Sequence, residues 1–567
     1  MDEKLMFSDQ INPSLNPNSN TIDSAGRTIL GTPNNDWLRS TCGHDYLNGG
    51  MGSDRLWGRA GNDTLIGGSG DDWLDGGSGD DRLFGGSGSD RLLGGNGHDR
   101  LEGGTGKDRL RGGNGNDILI DRDGGDRLAG GEGADQFGIG NGSLGATVIT
   151  DFQVGQDKIE FLELGIRFDH LSLQDNPQGL TITYQGKELV KLFGVKAAKL
   201  TADSFDFGNT QLVADLQQTL NQSLQGTGSP GSTVGVVTAD GRYWTGASGF
   251  SNVEQGQAAN ANDRFNIASV TKTFTATVIM QLVQEGKLAL NDPMTKWLPS
   301  SITANIACSN EITLRQLLSM TSGIYNADPF SGNPLSGSYY QDLFNDPSLL
   351  FKDQTPTEFI SKYVAGREPV FKPGKNFDYN NSNYRLLGLV IESATDGTLA
   401  QAYRERIIEP LGLQNTFLGG AETIPGGYSP SYTDINGDGK LDNTGGASLL
   451  FESASGGLVS HVQDLSRFAQ GLFNGELLSP AALEELITGS GIPGLGLGIA
   501  YQDVSEQGRE YISNGSGFGV QTQLRYFEET STTTIVITNG DTNLFDADNP
   551  AARVLQSISS ILRANNT

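Results

Sequence analysis

The sequence predicts a multidomain protein: a repetitive β-structure followed by a larger α/β domain. Three observations predict it. Aspartate recurs every nine residues from Asp36 to Asp135, each followed two residues later by an apolar residue. Glycine makes up 80 of the 567 residues, about twice ordinary usage, and a Gly-Gly pair opens most of the nine-residue units. From about residue 211 onward the composition becomes ordinary, and helical and strand-like apolar patterns are mixed.

Residues 1–30 are rich in Asn, Ser and Pro and are expected to be disordered. Residues 31–140 carry the repeat. Glycine permits the φ > 0 turns that fold the chain back after each short strand. The apolar residue, Leu38 in the first unit and Phe137 in the last, points inward and stacks on its copies. The aspartates and the turn carbonyls supply oxygen ligands suited to Ca²⁺. A disordered Gly/Asp linker would lack this fixed apolar register. The unit resembles the hemolysin-type, or RTX, calcium-binding repeat G-G-x-G-x-D-x-U-x, with the best match from Gly49 to Ile120. The resemblance implies a parallel β-roll holding structural Ca²⁺, with Asp54, Asp63, Asp72, Asp81, Asp90, Asp99, Asp108 and Asp117 as candidate ligands. One leucine per nine residues is a thin core and the carboxylates repel one another, so the roll is expected to fold only when calcium binds.

Residues 141–210 read as a β-rich cap on the last coil. LTITY (180–184) alternates in period two, Gln185-Gly186 can turn, and KELVKLF follows. In 211–567, TFTATVIMQLVQEGKL (273–288) has helical spacing that stops at Gly286, and TTTIVIT (532–538) reads as a buried strand.

The charge balance is 39 basic against 67 acidic residues, a net of −28. That argues against nucleic acid and against an anionic membrane surface as partners. No run of eighteen apolar residues occurs, so no membrane span is expected. The N-terminus has no apolar core of a signal peptide, although some export routes use none. The two cysteines, Cys42 and Cys308, are expected to form neither a disulfide nor a CxxC metal site.

The stretch FNIASVTKTFTA (265–276) places Ser269 three residues before Lys272, on one face of a helix. A serine hydroxyl is a poor nucleophile until a base takes its proton, and a partly desolvated lysine can be that base. A capping serine with a surface lysine would give the same four letters. Counting tests the other designs. Residues 211–567 contain one histidine, His461, and neither a G-x-S-x-G elbow nor an HExxH pair, which leaves Ser-Lys chemistry as the best-supported hydrolytic design. His461 itself reads as structural or pocket-lining.

The segments FNIASVTKTFTA, ITLRQLLSMTSGI (312–324), FKPGKNFDYNNSNYRLLG (371–388), IIEPLGLQNTF (407–417) and ASGGLVSHVQDLSRF (454–468) follow one another in order. Together they resemble the family of class C β-lactamases, D-alanyl-D-alanine carboxypeptidases and related serine esterases. The resemblance implies a β-lactamase-like (penicillin-binding-protein transpeptidase-like) α/β domain over 211–567, with an antiparallel sheet and a helical subdomain. It implies that Tyr379 shares proton transfer with Lys272 and that Asn381 orients Lys272 and the substrate amide. The family's third motif, Lys-Thr-Gly or His-x-Gly, is absent. Ser513-Asn514-Gly515 stands in its place, with Ser513 as a candidate substrate contact, Gly515 allowing close approach and Ser516 N–H as the second oxyanion donor. Loss of the cationic or imidazole side chain favours a neutral ester or amide.

A second calcium loop is expected at DINGDGKLD (434–442), where Asp434, Asn436, Asp438, the Lys440 carbonyl and Asp442 have EF-hand-like spacing. Glu452 is a possible further ligand; a plain Asx-rich turn is the alternative. The sequence thus predicts a secreted or surface-exposed serine hydrolase on a calcium roll, with no organic cofactor. Its substrate would be a small molecule or a peptidoglycan-like peptide or ester. A carboxylesterase on the same residues, or an inert binding or adhesion module, are the alternatives.

Overall fold

A computed structural model describes residues 26–140, 142–329, 337–435, 439–504, 508–540 and 549–565. Of residues 1–30, expected to be disordered, positions up to 25 lie outside this set, but Thr28–Leu30 is a strand paired in parallel with Tyr46–Met51, because the first coil of the roll offers it an open sheet edge.

The repeats build a parallel β-roll of eighteen residues per coil, two nine-residue units each. Successive strands alternate between two sheets, so Leu47, Leu65, Leu83, Leu101, Leu119 and Phe137 are in register on one sheet. Leu38, Leu56, Leu74, Leu92, Leu110 and Leu128 are in register on the other. From Leu47 on, these side chains are buried and form one continuous core. The glycines are dictated by contact as well as by φ. Gly68 has φ 107°, and a Cβ there would lie 2.0 Å from the Gly50 carbonyl oxygen of the previous coil.

Beyond the last repeats, Thr147–Ile149 extends one sheet, and an antiparallel set, Leu171–Asn176, Gly179–Tyr184 and Lys187–Phe193, is joined to it. Leu180, Ile182, Val190 and Leu192 close the end of the roll core. Gln185 and Gly186 both have positive φ, which gives the two-residue hairpin turn that suits the twist of the strands.

The C-terminal domain has a seven-stranded antiparallel sheet whose order is Gln257–Ala258, Tyr243–Asn252, Gly231–Val237, Thr532–Thr538, Gln521–Phe527, Gly508–Ser516 and Ala500–Val504. Thr532–Thr538 is central and buried throughout, as its unbroken apolar and β-branched run requires. Val234, Val236 and Val536 on one face pack with helices Thr210–Ser223 and Pro550–Ala564. Ile535 and Ile537 face the larger core, which holds helices Thr271–Gln284, Asn381–Thr395 and Val462–Phe473. The helix Thr271–Gln284 is buried from Thr271 to Leu282, and its C-terminal turn passes to Gly286 at φ 72°. Its threonines are paired inside the core: Thr273 Oγ1 donates to Gly498 O at 2.9 Å and Thr275 Oγ1 to Ala454 O at 2.7 Å. Among the described residues, no helix is long and apolar enough to cross a membrane. Cys42 and Cys308 are both free.

The roll lies against the C-terminal domain. Backbone bonds join Tyr243 N–H to Leu162 O at 2.8 Å and Leu164 N–H to Tyr243 O at 2.9 Å. The buried Arg242 guanidinium pairs with Glu160 at 3.0 Å and Asp206 at 2.8 Å. Farther along, the buried Glu102 of the roll accepts from Arg122 Nε at 2.6 Å and pairs with Arg467 of the C-terminal domain at 3.5 Å.

Candidate active site

Ser269 sits in a single 3₁₀ turn, Ala268–Val270, that runs directly into helix Thr271–Gln284. Ala268 has φ 46°, a conformation that non-glycine residues adopt rarely and that marks the turn as constrained by its surroundings. Part of that constraint is Gly515. A Cβ on it would fall 2.3 Å from Ile267 O and 3.2 Å from Ser269 N, so only glycine lets this strand close on the serine turn.

The side chains then converge. Lys272 Nζ donates to Ser269 Oγ at 2.9 Å and to Ser455 O at 2.6 Å. Tyr379 OH donates to Ser269 Oγ at 2.8 Å. The Lys272 ammonium also lies 5.1 Å from the centre of the Tyr379 ring and 5.7 Å from that of Tyr384, a cation–π setting that holds a buried amine with few polar partners. Asn381 begins helix Asn381–Thr395 behind the cap Asn380, whose side chain accepts from Ser382 N–H at 2.9 Å. Its Nδ2 donates to Asp328 Oδ2 at 3.2 Å, and its Oδ1 is buried without a partner.

A narrow cleft opens over Ser269, lined among others by Tyr340, Asn381, Tyr428, Glu452, Ser516 and Phe518. None of its described lining residues is Lys, Arg or His. Ser513 is not among them; its Oγ is 2.8 Å from Thr273 Oγ1, which anchors the strand to the serine helix. Asn514 is exposed and accepts from Arg525 at 2.7 Å. His461 caps helix Val462–Phe473, its Nδ1 accepting from Asp464 N–H at 3.2 Å, a structural role away from the serine.

Sequence reading missed the support behind the site. Arg385, fully buried, pairs with Asp328 at 2.7 Å and Glu452 at 3.2 Å, donates to Phe451 O and stacks on Phe359. Glu452 in turn accepts from Ser455 Oγ at 2.8 Å, and Ser455 O receives the lysine. The one available signal was a cationic residue one helical turn after Asn381 in an otherwise apolar run. Glu452 is therefore held by Arg385, which departs from its expected use as a ligand of the 434–442 loop.

The beta-lactamase family model matches residues 216–557, more than half of the chain. The chain belongs to the beta-lactamase family. This family member also matches the RTX calcium-binding nonapeptide repeat over residues 30–65, 66–101 and 102–137. It is 31% identical over 211 residues to protein flp of Staphylococcus aureus (strain MW2), covering 36% of this chain and 39% of flp. It is 30% identical over 244 residues to esterase EstB of Burkholderia gladioli, covering 42% of this chain and 59% of EstB. The matched segment thus spans less than two thirds of either relative. Among solved structures, a D-stereospecific amidohydrolase from Streptomyces sp. superposes with TM-score 0.52 at 29% identity, covering 61% of this chain and 98% of that one. A D-amino acid amidase from Ochrobactrum anthropi SV3 shares the fold, with TM-score 0.52 at 21% identity over 63% of this chain and all of that one. Together these matches give the C-terminal domain the beta-lactamase-family fold.

The RTX match implies calcium binding, and the turns fit the ion. In each coil the backbone N–H of one repeat aspartate donates to Oδ1 of the aspartate eighteen residues later, at 2.7–2.9 Å for Asp54, Asp63, Asp72, Asp81, Asp90, Asp99, Asp108 and Asp117. The second oxygen, Oδ2, of all eight is buried and unpaired. At Gly67 a Cβ would lie 2.4 Å from Asp72 Oδ2 and 2.5 Å from Gly85 O, so a carboxylate and a carbonyl oxygen converge on space the glycine leaves clear. Burial pushes these carboxyls up, Asp90 to about 9, Asp81 to about 8 and Asp72 to about 7, with neighbouring aspartates adding to the effect. A hard cation taking oxygen ligands would relieve both terms.

At the 434–442 loop, Asp434 Oδ2 accepts from Gly439 N–H at 2.8 Å and Asp442 Oδ2 from Ile435 N–H at 3.2 Å. Lys440 is described, but Asn436 and Asp438 lie outside the described residues.

Proposed function

We propose that this protein is a calcium-dependent, exported hydrolase that cleaves a neutral amide or ester through an acyl-serine intermediate on Ser269. The observation that carries the reading is the double hold on Ser269 Oγ by Lys272 Nζ at 2.9 Å and Tyr379 OH at 2.8 Å. With the amine uncharged, the Ser269–Lys272 contact runs in the opposite sense, and the hydroxyl proton passes to Nζ as Oγ attacks the substrate carbonyl. The N–H groups of Ser269 and Ser516, both at the cleft, receive the oxyanion. Tyr379 protonates the leaving group, and Asn381 orients the substrate amide. Water, deprotonated by the same pair, then releases the acyl group.

The absence of a cation among the described cleft-lining residues favours a substrate without a carboxylate beside the scissile bond. That matches the departure at Ser513-Asn514-Gly515 and the resemblance to an esterase and an amidohydrolase. It weighs against a D-alanyl-D-alanine carboxypeptidase. Export is supported by the repeats: the all-oxygen calcium sites of extracellular modules saturate where calcium is abundant, outside cells.

The test is turnover of a p-nitrophenyl ester and of a D-amino acid amide in calcium buffer, with wild type beside Ser269→Ala, and intact mass after incubation with a penicillin. Hydrolysis of either neutral substrate, lowered about a thousandfold or more by Ser269→Ala, is expected. A stable Ser269-dependent penicillin adduct without neutral-substrate turnover would move the protein to the penicillin-binding peptidases. No reaction with any of the three would mark a display module.

A further inference from the structure

The two sheets of the roll turn different faces outward. On the sheet of Leu47 and its copies, residues that follow the leucines, Ile66, Phe84 and Glu102 among them, are buried beside Pro410, Leu411 and Arg467 of the C-terminal domain. On the other sheet, the residues that precede the leucines stand in register as Trp37, Arg55, Trp73, Arg91, Arg109 and Arg127. Side chains alternate across a strand, so this row points out where the buried leucines point in. Trp37 is 61% exposed, and the arginines of the row are exposed as well. The residues after the leucines form a second outward row, with Arg39, Trp57 and Arg111 and a single acid, Asp75. Arginines thus outnumber carboxylates on this face, in a chain whose net charge is −28.

Among the described residues, none of these arginines has a carboxylate partner or a side-chain hydrogen bond. What they touch is aromatic. The Arg55 guanidinium lies 5.0 Å from the centre of the Trp37 ring and 5.7 Å from that of Trp73, and Arg91 lies 5.1 Å from Trp73 on its other side. Arg127 lies 5.7 Å from the ring of Phe193 in the cap. Stacking sets the planes of the guanidinium groups and leaves their N–H donors unused. It does not account for Arg91, Arg109 and Arg127 side by side on neighbouring strands, since like charges directly opposite one another weaken a sheet. On the covered sheet the same repeat position holds Thr64, Arg82, Arg100 and Ile118, and there Arg100 has Glu102 at 3.8 Å.

We propose that this face binds an extended acidic polysaccharide, a polyuronate with a carboxylate on each sugar. Guanidinium groups take carboxylates in a bidentate fork. Neighbouring strands lie about 4.8 Å apart. That is close to the length of one pyranose unit in an extended chain, so successive arginines meet successive carboxylates. The exposed Trp37 indole offers a flat apolar surface to the C–H face of a sugar ring. The rows run along the roll as a track, which suits a polymer and not a small ligand. A nucleic acid carries more charge per length and an anionic membrane a continuous field of it; the surrounding charge of −28 opposes both, whereas a slender polymer meets the basic row alone. The C-terminal domain sits on the opposite sheet, so polymer and domain do not compete for the roll. The inference is independent of the reaction at Ser269.

The test is titration of the full-length protein, at fixed free calcium, with an oligogalacturonate too short to gel. Wild type is compared with the double variant Arg91→Thr/Arg109→Thr and with Arg82→Thr on the other sheet. Threonine already fills this repeat position at Thr64, so both variants suit the roll. Wild type is expected to bind the oligouronate, less tightly as salt is added, and to ignore a neutral oligosaccharide of the same length. The double variant is expected to bind about tenfold or more weakly, and Arg82→Thr within about twofold of wild type. No binding by wild type, equal binding by the double variant, or tighter binding of single-stranded DNA or of anionic phospholipid vesicles would overturn the proposal. Should the double variant not fold in calcium, phenylglyoxal modification of wild type, read by peptide mass, decides: protection of Arg91 and Arg109 by the oligouronate supports the face, and unchanged modification refutes it.

Discussion

At the scale of single residues, Ser269, Lys272 and Asn381 rest on a buried charge arrangement. Arg385 neutralises Asp328 and Glu452; Asp328 holds Asn381, and Glu452 steadies Ser455, whose carbonyl binds Lys272. Replacing Arg385 by Met leaves two carboxylates facing each other with no cation between them. A loss of about 3–5 kcal/mol is expected, read as a lower urea midpoint for the hydrolase transition. Asp328→Asn, which keeps the shape and removes one charge, is expected to cost less stability and to act on the rate, lowering kcat more than it changes KM. An unchanged midpoint for Arg385→Met would show that the network is dispensable. Ser269 and Lys272 were singled out by their i to i+3 spacing and Tyr379 and Asn381 by the family resemblance, and the fold brings Lys272 Nζ and Tyr379 OH to Ser269 Oγ. The Arg385 network was not legible in the sequence, because its partners lie 57 and 67 residues away along the chain and meet only in the fold. Ser513 was read as a substrate contact from its place in the motif; which neighbour its hydroxyl would choose, here Thr273, is a matter of packing that no local spacing records.

At the scale of the element, the roll was the most legible part of the molecule, because each nine-residue unit repeats the same solution and the register of its leucines follows directly. What the repeat leaves open is its ending: Asp121 closing the ladder and the hairpin Gly179–Phe193 covering the core follow from where the pattern fails. The raised carboxyls make a prediction about acid. Without calcium, groups whose folded values stand near 6 to 9 bind protons more tightly in the roll than in the unfolded chain, where aspartate titrates near 4. Their protonation therefore supports the fold fully below pH 4, and the support is lost as pH rises through 6 to 9. Circular dichroism in chelator is expected to show more β-structure at pH 5 than at pH 8, and calcium at pH 8 is expected to restore it. More structure at pH 8 than at pH 5 in chelator would contradict this account.

At the scale of the whole molecule, roll and hydrolase share a seam of backbone pairing at Tyr243 and buried ion pairs at Arg242, Glu102 and Arg467. Burial alone would raise the Glu102 carboxyl, but Arg122 and Arg467 outweigh it and hold the group well below the usual range. Arg467→Ala is expected to loosen this contact and to increase limited proteolysis between the two parts in calcium, while ester turnover stays within about twofold. Unchanged cleavage would show that the Tyr243 pairing alone secures the seam. Nothing in the sequence marked these partners, since a glutamate in a repeat and an arginine on a helix are ordinary surface residues until two domains meet. The shared strand contact at Tyr243 has a calorimetric meaning. In calcium the molecule should melt as one cooperative block, with a single heat-absorption peak, because neither half can unravel without breaking the other's edge. In chelator the hydrolase should give a separate, lower-temperature peak, stripped of the neighbour that shields it.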